Sequence, residues 1–211
     1  KEYRRQRQMC IRDRCNTAAL TEYLPELLAD FLRQHPQIDV DIQELPSLRI
    51  VQALGQGIAD LGILSDAVIT ADLQTRPFRD DPLVLIMAPE HPLAAVDNPD
   101  FARSLEHGYV GLGAGSALAL HLEEQALHLG RRMQVRVRAE GFDGVIRMVA
   151  HGAGLGIVPL AAVQRWQGVL PLYSVALQED WAQRRLLLCA RDFASLPGQA
   201  RALLDALLPR V

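Results

Sequence analysis

Segments of helical and strand periodicity alternate along the chain, and this alternation limits the folds that are open to it. Apolar residues recur at helical spacing from Thr17 to about residue 34, and IDVDIQEL (38–45) then alternates apolar and polar positions like a half-buried strand. A second helical segment begins near Ser47, and the short apolar strand ADLGIL (59–64) follows it. Helices and strands in this order are typical of an α/β fold whose parallel sheet is covered on both faces.

The same pattern begins again in the second half of the chain. PLVLIMAP (82–89) reads as a buried strand ended by prolines, and the turn-rich EHPLAAVDNPD after it has the composition of a connection between lobes. The spacing then predicts strand GYVGL (108–112), a helix from about 117, strand MQVRVRAE (133–140), a helix near 143–151, strand LGIVP, strands near 169–175 and 185–190, and a terminal helix. We therefore expect two α/β lobes: 15–88 with about 191–211 as lobe I, and 89–190 as lobe II.

Composition and charge exclude several classes of protein. The apolar run Leu83 to Ala88 is far shorter than the roughly 20 residues that a bilayer span needs, so no membrane segment is expected. The net charge is −3, and the first fourteen residues are basic, so the remaining chain is acidic and does not resemble a polyanion-binding surface. Cys10, Cys15 and Cys189 form no CxxC pair, which favours reduced thiols in the cytoplasm over a disulfide framework.

Residues 1–14, KEYRRQRQMCIRDR, show neither strand alternation nor a continuous apolar face. No apolar region of a secretory signal follows them. We interpret this segment as a tag, a junction or a misread gene start that lies outside the folded domain. The rival interpretation is a basic arm that touches DNA.

Two glycine-rich segments raise the question of a phosphate site. HGAGLGIVP (151–159) lies between a helix and a strand, the reverse of the order in a phosphate-binding loop, so its glycines are expected to end the helix and to allow close packing on the sheet. GLGAGSAL (111–118) joins a strand to a helix, and Ser116 is placed either to cap that helix or to bond a carboxylate. No GK[ST] follows, so a nucleoside triphosphate site is not expected.

From about Cys15 to Val211 the chain resembles the C-terminal effector-binding domain of LysR-type transcriptional regulators. The resemblance is carried, in order, by Thr17 before LPELLADFLRQHP, GQGIADLGIL, DDPLVLIMAPEHPLA, GAGSALALHLEE and VAHGAGLGIVP. It implies two Rossmann-like lobes of the periplasmic-binding-protein type II fold, with a ligand cleft between them.

The resemblance also implies which residues contact a small-molecule effector, and it places them at turns that follow strands, where open α/β sheets bind ligands. The helix starts among them would favour a carboxylate or another small anion. Thr17 and Ser47 are expected to cap their helices as well, Phe142 has an alternative role in core packing, and the charge of Asp143 would oppose an anion. The expected ligand-binding residues are Asn16, Thr17, Ser47, Leu48, Leu64, Ser65, Gly115, Ser116, Phe142, Asp143, Val158 and Pro159.

In the family, a winged helix-turn-helix precedes this domain, so operator DNA would be bound only through that part of a longer protein. An apolar first strand normally precedes the Asn16 turn, whereas RQMCIRDRC stands there, with only Met9, Ile11 and a cysteine suited to fill it. The resemblance further implies a homodimer, or a tetramer at full length, in which helix 18–34 of one subunit meets helix 117–129 of another.

Catalytic and metal-binding patterns are weak. Ser116 is out of register for a GxSxG nucleophile, and His121 and His128, seven apart, do not have the HExxH zinc spacing, so a solvated helix face is expected there. We predict no enzyme activity, no metal and no cofactor. The alternatives are a solute-binding protein of a transporter with the same fold, and an enzyme built on the two-lobe scaffold.

Overall fold

The computed structural model describes residues 10–70 and 72–208, which form two compact units. Unit 1 comprises the described residues up to Arg79 and from Arg185 onward, and unit 2 runs from Asp80 to Arg184. Both boundaries fall earlier in the chain than expected. The reason is strand pairing. The strand Leu83–Met87 pairs with a strand of unit 2, and the strand Arg185–Ala190 pairs with a strand of unit 1.

The helices and strands follow the predicted order. The strands are β1 Cys10–Cys15, β2 Asp39–Glu44, β3 Leu61–Ser65, β4 Gln74–Asp80, β5 Leu83–Met87, β6 Gly108–Leu112, β7 Gln134–Ala139, β8 Gly156–Pro159, β9 Tyr173–Ala176 and β10 Arg185–Ala190. The helices are α1 Leu24–Gln34, α2 Ser47–Gly55, α3 Phe101–Ser104, α4 Ala117–His128, α5 Phe142–Ala150, α6 Leu160–Gln164 and α7 Gly198–Leu207.

Unit 1 has a five-stranded sheet in the order β2-β1-β3-β10-β4. β1 is parallel to both β2 and β3, whereas β10 is antiparallel to β3. Helix α2 packs closely on this sheet because β3 offers Gly62 beneath it: a Cβ there would lie 2.6 Å from Ile50 Cγ2 and 2.9 Å from Leu54 Cδ1. The sheet was expected to be parallel, and this expectation is corrected: β10, which follows the return of the chain from unit 2, runs opposite to its neighbour β3.

The N-terminal strand is the largest departure from the sequence interpretation. Residues 10–14, expected to lie outside the domain, belong to β1 inside the sheet between β2 and β3, where backbone pairing on both sides holds a strand rich in charge. Ile11, Asp13 and Cys15 are each at most 1% exposed. Arg14 Nη1 donates to the carbonyl oxygens of Asp13 and Asp41 at 2.8 and 3.3 Å. Met9 lies outside the described residues.

Unit 2 combines a three-stranded antiparallel sheet, β8-β5-β9, with the parallel pair β6-β7. A parallel bridge between Tyr109 and Leu155 joins them, and the Val110 N–H donates to the Leu155 carbonyl at 2.8 Å. β6 and the segment leading into β8 therefore run in the same direction.

The helices of the described residues include none with an apolar stretch of the length that spans a bilayer.

The chain passes between the units at two points that carry acidic and basic side chains. Arg184 donates from Nε to the backbone oxygen of Asp81 at 3.2 Å and pairs through Nη2 with Asp81 Oδ2 at 2.5 Å. Its neighbour Arg185 donates from its backbone N–H to Asp66 Oδ1 at 3.0 Å within unit 1. Consecutive arginines are thus each held by an aspartate of their own unit.

The helix starts differ from their predicted caps. Asn16 Oδ1, not Thr17, accepts from a backbone N–H in the first turn, that of Ala19, at 2.9 Å. Ser47 is the first residue of α2 after a Pro46 cap, and its hydroxyl makes no cap bond. Upstream of Pro25, residues Ala19–Tyr23 form a π-helical turn, and the regular helix α1 begins at Leu24.

The glycine segment after α5 has the structural role that its order predicts. Gly152, just beyond α5, has φ 78°, the left-handed conformation that ends helices. At Gly156 a Cβ would lie 3.1 Å from Val149 Cγ2 of that helix and 3.0 Å from Ile86 Cγ1 of β5. The absent side chain therefore permits close packing of helix against sheet.

Candidate functional site

The carboxyl end of the parallel strands in unit 1 gathers polar side chains from three strands. β1 ends at Cys15 and is followed by Asn16 and Thr17, β2 ends at Glu44, and β3 ends at Ser65. The Leu45 N–H donates to the Cys15 carbonyl at 3.0 Å, which ties two of these ends together. This end of the sheet is where ligands bind in open α/β folds.

Thr17 and Glu44 form the most prominent polar contact at this end. The Thr17 Oγ1 hydroxyl donates to Glu44 Oε1 over 2.5 Å. Thr17 is half-buried and Glu44 is exposed, so both can meet a small molecule from solvent. No arginine or lysine within 10–70 and 72–208 forms an ion pair with Glu44.

The other residues expected in this half are mostly buried. Asn16, Ser47 and Ser65 are 4%, 1% and 5% exposed, and the Ser65 N–H reaches Ser47 Oγ at 3.5 Å. Leu64 and Ser65 are the last two residues of β3 and do not follow it; Leu64 is fully buried and packs in the cluster that contains Ile50, Leu54 and Cys189. Leu48, by contrast, is 60% exposed.

In unit 2, the carboxyl ends of β6, β7 and β8 lie at one end of the parallel arrangement. Gly113 to Gly115 after β6 are exposed, and no heavy atom lies within 4 Å of a Cβ built at Gly115. Ser116 Oγ accepts from the Ala119 N–H at 3.2 Å, as expected of an N-cap. Because this oxygen is used as an acceptor, the hydroxyl proton of Ser116 stays available to a ligand.

Asp143 at the start of α5 is engaged by two side chains from the end of α6. Its Oδ1 accepts from Arg165 Nη2 at 3.0 Å and from the Trp166 indole Nε1 at 3.2 Å. The arginine compensates the negative charge that would oppose an anion. Phe142 is 2% exposed and Val158 0%, and Pro159 is also buried, so Phe142 packs in the core as its alternative interpretation held.

Three residues at these ends escaped the sequence interpretation. Glu44 was detectable, because it ends a predicted strand whose carboxyl end belongs to the site. Arg165 and Trp166 follow α6, a helix of five residues with too few turns to show a period. Each of them lies more than twenty residues from Asp143 along the chain, so no local sequence pattern indicates the contact.

Metal and nucleophile chemistry find no support in the described residues. None of these residues forms a group of three or more His, Cys, Asp or Glu side chains suited to a metal ion. His121 does not lie on a solvated face as expected, because its ring packs against Trp181 with centroids 5.5 Å apart. Burial raises the pKa of the Cys189 thiol to about 12 and also raises that of Cys15, so neither is a ready nucleophile.

Unit 2 also holds a cavity of about 310 Å³ beside the later turns of α4. It is lined by Glu123, Leu127, Arg132 and Met133. Ser116 caps the other end of the same helix, so this cavity is separate from the turns described above.

Comparison with known proteins gives a consistent result. The chain is 26% identical over 164 residues to the HTH-type transcriptional activator CmpR of Synechocystis, which covers 75% of this chain and 54% of the relative. The chain spans about half the length of the curated relatives it matches.

Two solved structures share the fold. The regulatory domain of CcmR from Synechocystis in complex with 2-PG has a TM-score of 0.81 at 23% identity, covering 94% of this chain and 95% of that one. The effector-binding domain of QuiR in complex with shikimate has a TM-score of 0.73 at 19% identity, covering 94% and 95%.

The family described as the LysR substrate binding domain matches residues 15–211, the same span that the sequence motifs indicated. The chain therefore belongs to the LysR substrate-binding domain family, the effector-sensing domain of LysR-type transcriptional regulators.

Proposed function

We propose that the chain binds a small polar metabolite at its strand-end turns, and that this binding controls a bacterial transcriptional regulator of which the chain is a part. The observation that carries the proposal is the placement of Thr17 and Ser116 on turns after parallel strands, one in each unit. The CcmR and QuiR complexes, with 2-PG and shikimate, support a small organic acid as the class of effector.

The proposed output is a change of arrangement, not a chemical conversion. An effector that binds one arrangement more tightly than another biases the equilibrium between them, and allosteric coupling of this kind amounts to about 1–3 kcal/mol. Operator DNA would be bound by a winged helix-turn-helix in the longer protein, acting in the cytoplasm. The effector would leave unchanged, so turnover of a bound metabolite would contradict this part of the proposal.

We further propose that the chain associates with a second copy through α1 of one subunit and α4 of the other. Support comes from apolar side chains that these helices leave in solvent: Leu32 is 39% exposed, Leu120 52% and Leu127 59%. Light scattering coupled to size-exclusion chromatography should give a dimer, and Leu127→Arg should shift the mass toward the monomer. A wild-type monomer at every accessible concentration would overturn this pairing.

The binding proposal is tested by a thermal-shift screen of small carboxylates and aromatic acids, because a ligand of the folded state stabilises it by RT ln(1 + [L]/Kd). Thr17→Val and Ser116→Ala should each weaken the best hit about fivefold or more, the effect of one lost hydrogen bond. Thr75→Val and Ser195→Ala remove exposed hydroxyls elsewhere in unit 1 and should leave affinity unchanged. Equal binding by all four variants would contradict the site assignment.

A further inference from the structure

The direction of the Thr17 hydrogen bond restricts what unit 1 can recognise. A hydroxyl has one proton, and Thr17 donates it to Glu44 Oε1, 2.5 Å away. The Thr17 oxygen is left with lone pairs only. It can accept a hydrogen bond from a ligand but has no proton to offer a ligand carboxylate.

Glu44 strengthens the same restriction. A carboxylate is an acceptor only, and this one is exposed at the end of β2. The arginines that make ion pairs in the described part of unit 1 do so with Asp30, Asp41, Asp60 and Asp66, not with Glu44. Its negative charge therefore faces solvent at the strand end.

Three further polar side chains at this end do not change the balance between the hydrogen-bond donors and acceptors that a ligand meets. Asn16 Oδ1 is occupied by the Ala19 N–H, and Ser47 Oγ receives the Ser65 N–H. Asn16, Ser47 and Ser65 are no more than 5% exposed. The polar side chains that a ligand can reach at the ends of β1 and β2 are thus Thr17 and Glu44, and both present acceptors; just past the end of β3, Asp66 is paired with Arg185.

Unit 2 offers the opposite chemistry. Ser116 accepts the Ala119 N–H through its oxygen and retains its proton, and Asp143 is compensated by Arg165. A ligand carboxylate therefore finds a hydrogen-bond donor at the strand end of unit 2.

We propose that Glu44 is a specificity-determining residue: by holding the Thr17 proton it makes this subsite select a hydroxyl or ammonium group of the effector and disfavour a second carboxylate. The inference rests on the proposed function and narrows its ligand to hydroxylated or aminated acids. Glu44 acts both directly, through its charge, and through Thr17, whose hydroxyl it orients.

The test uses matched acids that differ in hydroxyl groups: acetate and glycolate, propionate and lactate, benzoate and 4-hydroxybenzoate. Affinities are measured by calorimetry on the chain as it stands. Wild type should bind the hydroxylated member of the best pair about fivefold more tightly than its partner, the value of one net hydrogen bond. Equal or tighter binding of the plain acid would overturn the inference.

Variants separate the two roles of Glu44. Glu44→Ala frees the Thr17 proton and should abolish or reverse the hydroxyl preference, whereas Glu44→Gln keeps an acceptor for that proton without the charge and should retain part of it. Glu26→Ala removes an exposed carboxylate on α1 and should leave the preference intact. An unchanged preference in Glu44→Ala would overturn the assignment.

Failure of the proposed function gives a different pattern. Ser116→Ala should weaken both members of a pair equally, because it removes a contact to the carboxylate they share. If the acids bind without preference, the Glu44 inference is wrong and the proposed function stands. If no small acid in the screen or among the pairs binds, the proposed function is contradicted, and this inference with it.

Discussion

The two units treat their carboxylates differently. In unit 2, Asp81 in the interior and Asp143 at the strand end are each paired with an arginine, at 2.5 and 3.0 Å. In unit 1, the corresponding pair of acids has no such partner: Asp13 is fully buried with no hydrogen bond to either carboxylate oxygen from the described residues, and Glu44 holds only the Thr17 hydroxyl. Of these four acids, the two in unit 2 have an arginine partner and the two in unit 1 do not.

This difference has consequences for both stability and recognition. A buried carboxylate without a partner shifts toward its neutral form, whereas a paired one stays charged at the cost of desolvating two ions. At the strand ends the same contrast separates an acceptor-rich turn in unit 1 from a turn in unit 2 that still has a proton to donate. We therefore expect the replacement of each acid to have a different effect on the free energy of unfolding or on ligand affinity.

The largest effect is expected at the buried pair of unit 2. Asp81→Ala leaves the Arg184 guanidinium buried and unpaired, and breaking a pair of this kind costs about 3–5 kcal/mol. Urea unfolding measures the loss. Asp143→Ala, which breaks an exposed pair, is the matched control and should cost less than about 1 kcal/mol. Similar losses in the two variants would remove the distinction between interior and strand-end acids.

The next effect has the opposite sign and concerns Asp13 in unit 1. Its replacement by valine removes a buried carboxylate without a hydrogen bond and places a β-branched residue in a central strand, so the free energy of unfolding at pH 8 should rise by about 2 kcal/mol. The measurement is again urea unfolding. A destabilised Asp13→Val would show that the carboxylate has a stabilising contact.

The pH dependence of stability follows from the same residue. Burial is the main cause that raises the pKa of Asp13 from 3.8 to about 7. Between about pH 4 and 7 the folded state therefore holds a proton that the unfolded state has lost, so this group's contribution to stability falls as pH rises through that window. Unfolding free energies at pH 4.5 and 8 should show the fall in wild type and a smaller one in Asp13→Val. Parallel profiles would contradict the shift.

Much of the fold was predictable, because burial imposes a period on the sequence. The strand at 108–112 was predicted to the residue, a strand near 185–190 was also predicted and is present, and the Ser116 cap was correct. The periodicity missed β1, which only the family resemblance placed before Asn16, because backbone pairing with two neighbours holds a strand whose sequence is rich in charge. β4 was missed too, since most of its side chains are exposed and Pro77 interrupts it.

The candidate site was less predictable than the fold. The helix starts predicted from the sequence point to hydroxyl side chains, and Thr17 and Ser116 were chosen as candidate site residues on that basis. The partner of each hydroxyl depends on strand register: Cys15 pairs with Glu44, and this alignment brings Glu44 beside Thr17. Local sequence patterns do not give the register between distant strands, so Glu44 was not predicted. The cap of the first helical turn also falls on Asn16 and not on Thr17.

The smallest effect is expected at the strand end of unit 2. Arg165→Gln leaves Asp143 uncompensated, so affinity for a carboxylate that binds the chain should fall by about two- to fivefold, a range set by solvent screening of exposed charges. Asp143→Asn should raise it by a similar factor. Calorimetry at low and high salt tests both, because the changes should shrink as ionic strength increases. Changes of the same sign in both variants would contradict an electrostatic cause.

The most direct test of the account is amide hydrogen exchange with and without the strongest acid from the screen. A bound effector should slow exchange in the strand-end turns, those around 15–19 and 44–48 in unit 1 and around 113–119 in unit 2, and Thr17→Val should reduce the protection around 15–19 and 44–48. Protection confined to surfaces away from these turns would contradict the claim that the strand-end turns hold the effector.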